Sequence, residues 1–222
     1  MSEAHRKRES VIDLAGERKA EPSRPNSPAG PPDEVLVMAA QAGDRNAFEQ
    51  LVIRYQDRIF NLCHRKLGCR EDAFEASQET FLRAYRAIGN FAGQARFYTW
   101  LFRIALNCAF SRRKRRTRRR SVIAGSLEHP EGADGAGLQE PVAPGDGPLA
   151  RVVRHEEGAV IAQAIASLPP LYHDIVLLRD IEGMSYEDIA ETLEIPLGSV
   201  KSRLHRARLQ LRDKLMGYVR ED

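Results

Sequence analysis

Residues 185–208, SYEDIAETLEIPLGSVKSRLHRAR, decide the fold of the C-terminal part of the chain. The Ser185 hydroxyl can accept a hydrogen bond from the backbone N–H of Asp188, which predicts the start of a short helix. That helix buries Ile189 and ends before Pro196. A longer helix follows, and one of its faces carries apolar residues spaced by three and four: Val200, Leu204, Ala207, Leu211 and Leu215. A short helix, a tight turn and a longer basic helix predict a helix-turn-helix.

The face of the long helix opposite the apolar stripe is polar and basic. It carries six residues that we predict to contact DNA: Ser199, Lys201, Ser202, Arg203, His205 and Arg206. Arginine and lysine bind guanine edges or phosphates, and a helix is an element that fits the major groove. The alternative is a solvated basic face on an ordinary amphipathic helix. The capped helix and the turn before it favour DNA binding.

Helical periodicity continues on both sides of a region without periodicity and divides the chain into two blocks. The C-terminal block, 151–222, adds a helix that stops before Pro169 and another over 171–181 that ends at Gly183. The N-terminal block, 33–116, contains three amphipathic helices, the first of them capped by Asp44. Their predicted stripes are Phe48, Leu51, Val52, Tyr55, Ile59, Leu62 and Lys66; then Phe74, Gln78, Phe81, Leu82, Tyr85 and Ile88; then Phe97, Trp100, Leu101, Ile104, Ala105 and Cys108. The predicted fold is all-α, with two small helical domains.

The third helix of the N-terminal block interleaves aromatic and basic side chains. Aromatic faces beside guanidinium groups suit unstacked single-stranded bases better than duplex DNA. Phe97, Trp100 and Ile104 lie on the apolar stripe, where packing alone explains them. Tyr98, Arg103 and Asn107 point away from that stripe and are the better contact candidates.

Composition sets further limits. The chain has 222 residues, 42% of them hydrophobic, and no stretch approaches the roughly 20 apolar residues of a membrane span. No secretory signal is visible at the start, so we expect a cytoplasmic protein. Residues 1–32 are rich in proline and are predicted to be disordered, and 117–150, rich in glycine and proline, are predicted to form a flexible linker. The net charge of +3 conceals a dense basic run over 112–120, which attracts polyanions.

Catalytic and metal-binding motifs are missing from the sequence. The six histidines are scattered and none lies in an HExxH, GxSxG or phosphate-loop pattern. The cysteines Cys63, Cys69 and Cys108 form no CxxC pair and match no common zinc spacing. We therefore predict no cofactor, no metal and no enzymatic activity of the chain's own, and a redox-sensing enzyme is a remote alternative.

Four stretches together resemble the extracytoplasmic-function (ECF) sigma factors, the small two-domain members of the sigma-70 family. Residues 39–60 (AAQAGDRNAFEQLVIRYQDRIF), 77–91 (SQETFLRAYRAIGNF) and 97–107 (FYTWLFRIALN) resemble region 2 of that family. Residues 168–212, from LPPLYHDIVLL through the helix-turn-helix, resemble region 4. The resemblance implies a subunit that binds core RNA polymerase and directs it to promoters. The catalytic chemistry would then belong to the polymerase.

The resemblance also assigns roles to individual positions. In region 2 the implied minus-ten contacts, which capture and melt the non-template strand, are Asn90, Phe91, Arg96, Tyr98, Trp100, Arg103, Asn107, Arg112 and Arg113. The implied minus-35 contacts on duplex DNA are the six residues of the basic helix face named above. The implied polymerase contacts are Glu75, Gln78, Glu79, Phe81 and Leu82 in region 2 and Leu171, Ile175 and Leu178 in region 4.

Partners follow from the same resemblance: core RNA polymerase, promoter DNA as duplex and as single strand, and an anti-sigma factor, often membrane-bound in relatives.

Three positions depart from the family pattern. Many members have an acidic residue where this chain has Phe74, an aliphatic one where it has Ser77, and an aspartate where it has Ser111. The rival hypothesis is a stand-alone helix-turn-helix regulator whose N-terminal bundle senses a ligand or dimerises.

Overall fold

The computed structural model describes residues 30–124 and 158–220, with side chains up to 118 and 216. Most of the predicted disordered extension (1–32) and most of the predicted linker (117–150) lie outside these ranges. Within them every regular element is helical, which confirms the all-α fold class. The helices form an N-terminal unit and a C-terminal unit that contact each other.

Four helices build the N-terminal unit. They are α1 (Asp33–Gln41), α2 (Arg45–Leu67), α3 (Arg70–Ala87) and α4 (Phe97–Ala124), with a 3₁₀ turn at Ile88–Asn90 after α3. The predicted cap of α2 is confirmed, because the Asp44 carboxylate accepts from the backbone N–H groups of Asn46 at 2.8 Å and Ala47 at 3.3 Å. Gly68 then ends α2 in the left-handed conformation, with φ of 65°.

Helix α2 runs through the middle of this unit and contacts α1, α3 and α4. Its predicted stripe is confirmed, since Leu51, Ile59 and Leu62 are almost completely buried. From α4, Leu101, Phe102 and Ala105 join the same core. The spacing of three and four along α2 therefore located the core of the N-terminal unit correctly.

Helix α3 and the turn after it bury only part of the stripe that the sequence predicted. Its inward residues are small: Ala73, Ala76, Ser77, Thr80 and Ala84. The large residues Phe74 and Leu82 are 56% and 51% exposed, and Tyr85 is exposed as well. Small side chains let a helix axis approach its neighbours closely. Phe74, Leu82 and Tyr85, which looked like core, are therefore surface, while Phe81 is half-buried against the core and Ile88 is buried.

Helix α4 continues through the arginine run to Ala124, past the domain boundary predicted at residue 116. Arginine is a strong helix former, and the N-terminal part of the run is tied to α3 by ion pairs. Arg112 Nε lies 2.7 Å from Asp72 Oδ1, and Arg116 Nη1 lies 3.2 Å from Asp72 Oδ2. The basic run therefore belongs to a folded helix at its start and not to a loose tail.

The C-terminal unit contains the predicted helix-turn-helix. A helix whose described part spans 158–166 is α5, and it is followed by α6 (Pro170–Val176), a π-helical turn (Leu177–Ile181), α7 (Tyr186–Leu193) and α8 (Leu197–Arg220). The predicted cap of α7 is confirmed, since Ser185 Oγ accepts from the Asp188 N–H at 3.0 Å. One single helix was predicted over 171–181, and the π-helical turn shows that this segment changes winding midway.

The two units pack against each other through α7 and α4. Two ion pairs frame this contact: Lys66 with Asp174, and Arg58 Nη2 with Glu182 Oε2 at 3.0 Å. The Lys66 side chain is only 4% exposed and that of Glu182 only 8%. Charged groups buried to this degree require partners, so both pairs tie the units together. No local pattern in the sequence predicted this contact.

Candidate nucleic-acid interface

The basic face of α8 is formed as predicted. Val200, Leu204 and Ala207 are buried, which turns Lys201, Ser202 and the residues beyond them outward. Lys201, Ser202, His205 and Arg206 are exposed, and Ser199 and Arg203 are half-buried at its margins. Within the described part of the chain no ion pair involves Lys201, Arg203, His205 or Arg206, so this face presents free donors along one side of a helix.

Arg208, at the flank of the basic face, has a structural role. Its Nη2 atom lies 2.5 Å from Asp180 Oδ1 in the π-helical turn. This pair anchors α8 to the preceding segment and raises the pKa of the Arg208 guanidinium, chiefly through the hydrogen bond with Asp180. Arg208 therefore helps to orient the basic face.

The loop before α4 is held by an aromatic cluster. The ring of Phe91 lies 5.0 Å from that of Trp100 and 6.1 Å from that of Phe97, and Phe97 and Trp100 are 5.7 Å apart. Asn90 and Arg96 are exposed on either side of the loop. Phe97 is 5% exposed, as its place on the apolar stripe predicted. The cluster thus fixes the loop ends while the polar residues face solvent.

Gln41, at the end of α1, fastens the entrance of the same loop. Its Nε2 group donates to the carbonyl oxygens of Ile88 at 3.0 Å and Phe91 at 2.8 Å. Sequence reasoning missed this residue. The only signal was its position two residues before Gly43, which allows the chain to turn with φ of 97°.

The outward face of α4 contacts acidic groups of the C-terminal unit. Tyr98 Oη donates to the Asp188 carboxylate, and Thr99 Oγ1 donates to it at 3.2 Å. Burial and this hydrogen bond raise the pKa of Tyr98 to about 12. Burial alone would raise the pKa of Asp188, but the hydrogen bonds from Ser185 and Tyr98 outweigh it and hold that pKa below its ordinary value.

Two more predicted contact residues, one just before α4 and one on it, lie near acidic side chains of the C-terminal unit. Arg96 Nη1 lies 3.7 Å from Asp188 Oδ2, and Arg103 Nη1 lies 3.1 Å from Glu194 Oε1. Sequence reasoning missed Asp188 as a contact, because its role as a helix-capping residue already explained its presence. The sequence carried one indication of a second buried side: aromatic residues lie on more than one side of α4. One of them, Phe102, is outside the predicted stripe and is completely buried in the structure.

The remaining predicted minus-ten residues divide into two groups. Asn107 and Arg113 are exposed. Arg112 is engaged with Asp72 and with Glu75 of α3. Arg112 therefore joins two helices in this structure.

Four of the five polymerase contacts predicted on α3 line one groove between α3 and α4. These are Glu75, Gln78, Glu79 and Leu82, together with Arg112 and Arg115 from α4. Phe81 is half-buried against the core. The exposed apolar surface of Leu82 beside acidic groups gives this groove mixed character, as protein-binding surfaces have.

The contacts predicted in the C-terminal unit differ in exposure. Leu171 is 47% exposed, but Ile175 and Leu178 are completely buried. Both lie in the core shared with Ile189 and Val200. Their spacing of three places them on the buried side of the segment, so only Leu171 presents surface to a partner in this conformation.

Two of the three cysteines lack the environment of reactive thiols. Cys63 and Cys108 are buried, and burial raises the pKa of Cys63 to about 12 and also raises that of Cys108. A reactive cysteine needs a lowered pKa, so the redox hypothesis is not favoured. In the described ranges no cluster of three or more histidine, cysteine or acidic residues could hold a metal, and none of the helices described has the length and apolar character to span a membrane.

Comparison with known proteins agrees with this geometry. The family description "Sigma-70 region 2" matches residues 51–119, and "Sigma-70, region 4" matches 159–211. The RNA polymerase sigma-H factor of Pseudomonas aeruginosa is 38% identical over 189 residues, which cover 85% of this chain and 96% of that protein. The ECF RNA polymerase sigma-E factor of Escherichia coli K12 is 36% identical, with the same coverage.

Solved structures give the same result. CnrH, in a complex with the cytosolic domain of CnrY, is 26% identical, covers 83% of this chain and 97% of its own, and superposes with a TM-score of 0.58. The sigma factor RpoE of Bartonella quintana, in complex with the anti-sigma factor NepR, has a TM-score of 0.60 at 22% identity and supports the fold.

A region 2 unit followed by a region 4 unit defines a sigma-70 type initiation factor for bacterial transcription. Within that class, the chain belongs to the ECF sigma factors. Like other sigma factors it binds core RNA polymerase and promoter DNA. The rival hypothesis of a stand-alone regulator does not explain the match over 51–119.

Proposed function

We propose that α8 reads the minus-35 element of the promoter as duplex DNA. The observation that carries this assignment is the exposed row of Lys201, Ser202, His205 and Arg206 on a helix whose other side is buried. Ser199 and Arg203 stand at its margins and suit the flanking phosphates. The short helix α7 and the left-handed turn at Glu194 set the angle at which α8 enters the groove.

The minus-ten element is assigned to region 2. Asn90, Phe91 and Arg96 belong to the loop that would receive an unstacked base, and the aromatic cluster supplies its rigid floor. Tyr98, Trp100, Arg103 and Asn107 on α4 would hold the rest of the non-template strand. Arg113 is exposed for phosphate contact, and Arg112 acts through its tie to α3.

The groove between α3 and α4 is the proposed docking surface for core polymerase. Glu75, Gln78, Glu79 and Leu82 face it together, and Phe81 supports them from behind. In region 4, Leu171 is the proposed contact. Exposed Phe74 and Leu82 give the surface apolar area that a permanent partner would cover.

Three further points complete the proposal. The chain performs no catalysis of its own, since the polymerase supplies it, and needs no cofactor. It acts in the cytoplasm, where bacterial polymerase works. Because the related structures CnrH and RpoE of B. quintana were solved with CnrY and an anti-sigma factor, NepR, respectively, we include an anti-sigma factor among the partners.

A footprinting experiment tests the minus-35 assignment. Holoenzyme is assembled from core polymerase and either Lys201→Ala or Lys214→Ala, and DNase protection is measured on a promoter mapped by transcription. Both lysines are exposed on α8, but Lys214 lies beyond the proposed face. We expect Lys201→Ala to weaken protection of the upstream element by about tenfold, the effect of losing one base or phosphate contact, and Lys214→Ala to leave it unchanged. Equal effects of the two variants would overturn the assignment.

A second measurement tests the minus-ten assignment. Permanganate modifies unpaired thymines, so it reports the melted strand. Arg103→Ala is expected to reduce this reactivity while leaving upstream protection intact. Unchanged thymine reactivity would contradict the role given to α4.

A further inference from the structure

Phe110, in the middle of α4, is an aromatic side chain that lies outside the core. It is 61% exposed. The other aromatic residues of this helix are used inside the structure, since Phe97 and Phe102 are buried and Tyr98 and Trp100 pack against the core. A single exposed apolar residue is ordinary on a protein surface, so the neighbours of Phe110 decide whether it has a function.

Those neighbours include residues that we assign to the minus-ten strand. Arg103, Asn107, Phe110 and Lys114 follow one another at spacings of four, three and four. At 3.6 residues per turn they lie within about 60° of each other around the helix axis. Asn107 and Lys114 are exposed, whereas Ala105, on the opposite side, is buried. The row therefore continues the proposed strand-binding face towards the C-terminal end of α4.

The spacing along the row matches the spacing of nucleotides. Each residue advances about 1.5 Å along an α-helix, so Phe110 lies about 4.5 Å beyond Asn107. Successive bases of one DNA strand are about 3.4 Å apart. The base next to the one that faces Asn107 is therefore within reach of Phe110. Lys114, about 6 Å further along the axis, is within reach of the adjoining phosphate.

The chemistry around the ring suits nucleic acid. Phe110 lines a shallow groove together with Ser111, Lys114, Arg115 and Arg118. Bases stack on exposed aromatic rings, and cationic side chains bind the phosphates that connect them. The phenyl ring has no hydrogen-bonding group, so it would accept any base. Promoter DNA, which sigma factors bind, offers both the π faces and the negative charge that this groove would take.

The place of α4 in the chain indicates which side of the minus-ten element the ring meets. The loop over 90–96, which would receive an unstacked base, precedes α4. Region 4 follows α4 and is assigned to the minus-35 element, which lies upstream. We therefore expect the C-terminal part of α4 to point upstream, with Phe110 on the upstream side of Asn107.

We propose that Phe110 is a further base contact of this chain. Its ring stacks on the non-template base next to the one that faces Asn107, on the upstream side, and Lys114 binds the adjoining phosphate. The proposal rests on the proposed minus-ten role of Arg103 and Asn107. It extends the strand-binding face of α4 by about two helical turns and adds affinity for the strand without selecting a base.

The test scans the promoter with abasic sites, each of which removes one base and keeps its phosphates. Holoenzyme is assembled from core polymerase and the wild-type chain, Phe110→Ala or Ile53→Ala. Its affinity is measured on templates that each lack one non-template base in the minus-ten element or just upstream of it. Ile53, 62% exposed on α2, is the matched control for the loss of an exposed apolar side chain. The affinity of each chain for core polymerase is measured in parallel.

We expect one abasic position at which wild-type holoenzyme loses about tenfold in affinity, the effect of one stacked base, and Phe110→Ala loses about twofold or less. Ile53→Ala should respond like wild type at every position. Phe110→Tyr keeps a ring and should also respond like wild type, whereas Phe110→Leu, apolar but without a π face, should resemble the alanine variant.

Two results would overturn the proposal: a Phe110→Ala holoenzyme that responds to every abasic site as wild type does, or a variant that loses affinity for core polymerase and not for DNA. Arg103→Ala separates this claim from the assignment on which it rests. If Arg103→Ala leaves the permanganate reactivity of the promoter unchanged, the minus-ten assignment itself is wrong. If it lowers that reactivity while Phe110→Ala shows no altered abasic position, only the additional contact is wrong.

Discussion

At the scale of single residues, Gln41 is a clear example of one side chain that holds a loop in place. One amide group holds two carbonyl oxygens, those of Ile88 and Phe91, at the entrance of the loop over 90–96. Two hydrogen bonds of about 1 kcal/mol each can order such a segment. Gln41 is therefore a positioning residue for the loop.

We predict that Gln41→Glu lowers promoter melting by about tenfold, because a carboxylate cannot donate to the two carbonyl groups. Gln56→Glu, the same change at an exposed position of α2, serves as the control. Permanganate reactivity measures melting, and upstream protection should be equal in both. A Gln41→Glu protein that melts DNA as well as the control would show that the loop needs no such support.

The cysteines give a second prediction at this scale. Because burial raises the pKa of Cys63 to about 12, this side chain is a protonated thiol at pH 8. Iodoacetamide at pH 8 should therefore modify half-exposed Cys69 first, and Cys63 and Cys108 only after unfolding in urea. Mass spectrometry of the native protein checks this order, and fast labelling of Cys63 would revive the redox hypothesis.

At the scale of elements, the junction between α3 and α4 depends on Asp72. Burial tends to raise the pKa of this carboxyl, but Arg112 and Arg116 outweigh it and hold the pKa below 3.8. A lowered native pKa means that the ion pairs stabilise the fold fully above pH 3.8 and lose this effect as the pH falls through the native pKa.

Asp72→Asn should therefore reduce the free energy of unfolding by about 1 kcal/mol at pH 7. The difference from wild type should shrink towards zero as the pH is lowered below 4. Urea unfolding across this pH range measures it, with Asp57→Asn on exposed α2 surface as the control. A difference that persists at low pH would mean that the carboxylate charge is not what stabilises the junction.

The basic run of α4 gives a prediction about salt. Arg113 and Lys114 are exposed, whereas Arg112 and Arg116 are engaged by Asp72 and Arg115 lines the proposed polymerase groove. Replacing Arg113 and Lys114 with glutamine should lower the slope of log affinity against log salt for holoenzyme on promoter DNA by up to about 0.9 per lost phosphate contact. Replacing exposed Arg45 and Lys214 is the matched control. Equal slopes for both variants would show that the run does not bind phosphates.

The sequence predicted some elements better than others, for physical reasons. Helix α2 and the α7 cap follow local rules, namely periodicity and side-chain capping, which need no knowledge of neighbours. The prediction of the buried face of α3 was wrong for Phe74 and Leu82, which face outward, because the core contacts of this helix use alanine and threonine. Periodicity weighs large apolar residues, so it cannot recognise close packing by small ones.

At the scale of the whole molecule, the sequence predicted two helical units but not the contact between them. Lys66, Arg58 and Tyr98 each find a partner more than 85 positions away, and no local pattern reports such pairs. The predicted DNA face of α8 was correct in exposure, because both sides of that helix are readable from its own sequence. For α4, the sequence predicted which residues point away from the apolar stripe, but not that the C-terminal unit covers some of them.

The same long-range contact gives the two proposed DNA-binding faces different surroundings. The basic face of α8 is exposed, whereas Tyr98 and Arg103 are engaged by region 4. The property that defines the molecule is its ability to direct core polymerase to a defined transcription start.

Run-off transcription tests this property most directly. Purified bacterial core polymerase is supplied with DNA from upstream of the chain's own gene, with and without the chain. We predict a transcript from one defined start that requires the chain and is lost when Arg103→Ala and Lys201→Ala are combined. Core polymerase that gains neither a start nor affinity for the chain, while the chain alone protects duplex DNA, would contradict its role as a sigma factor.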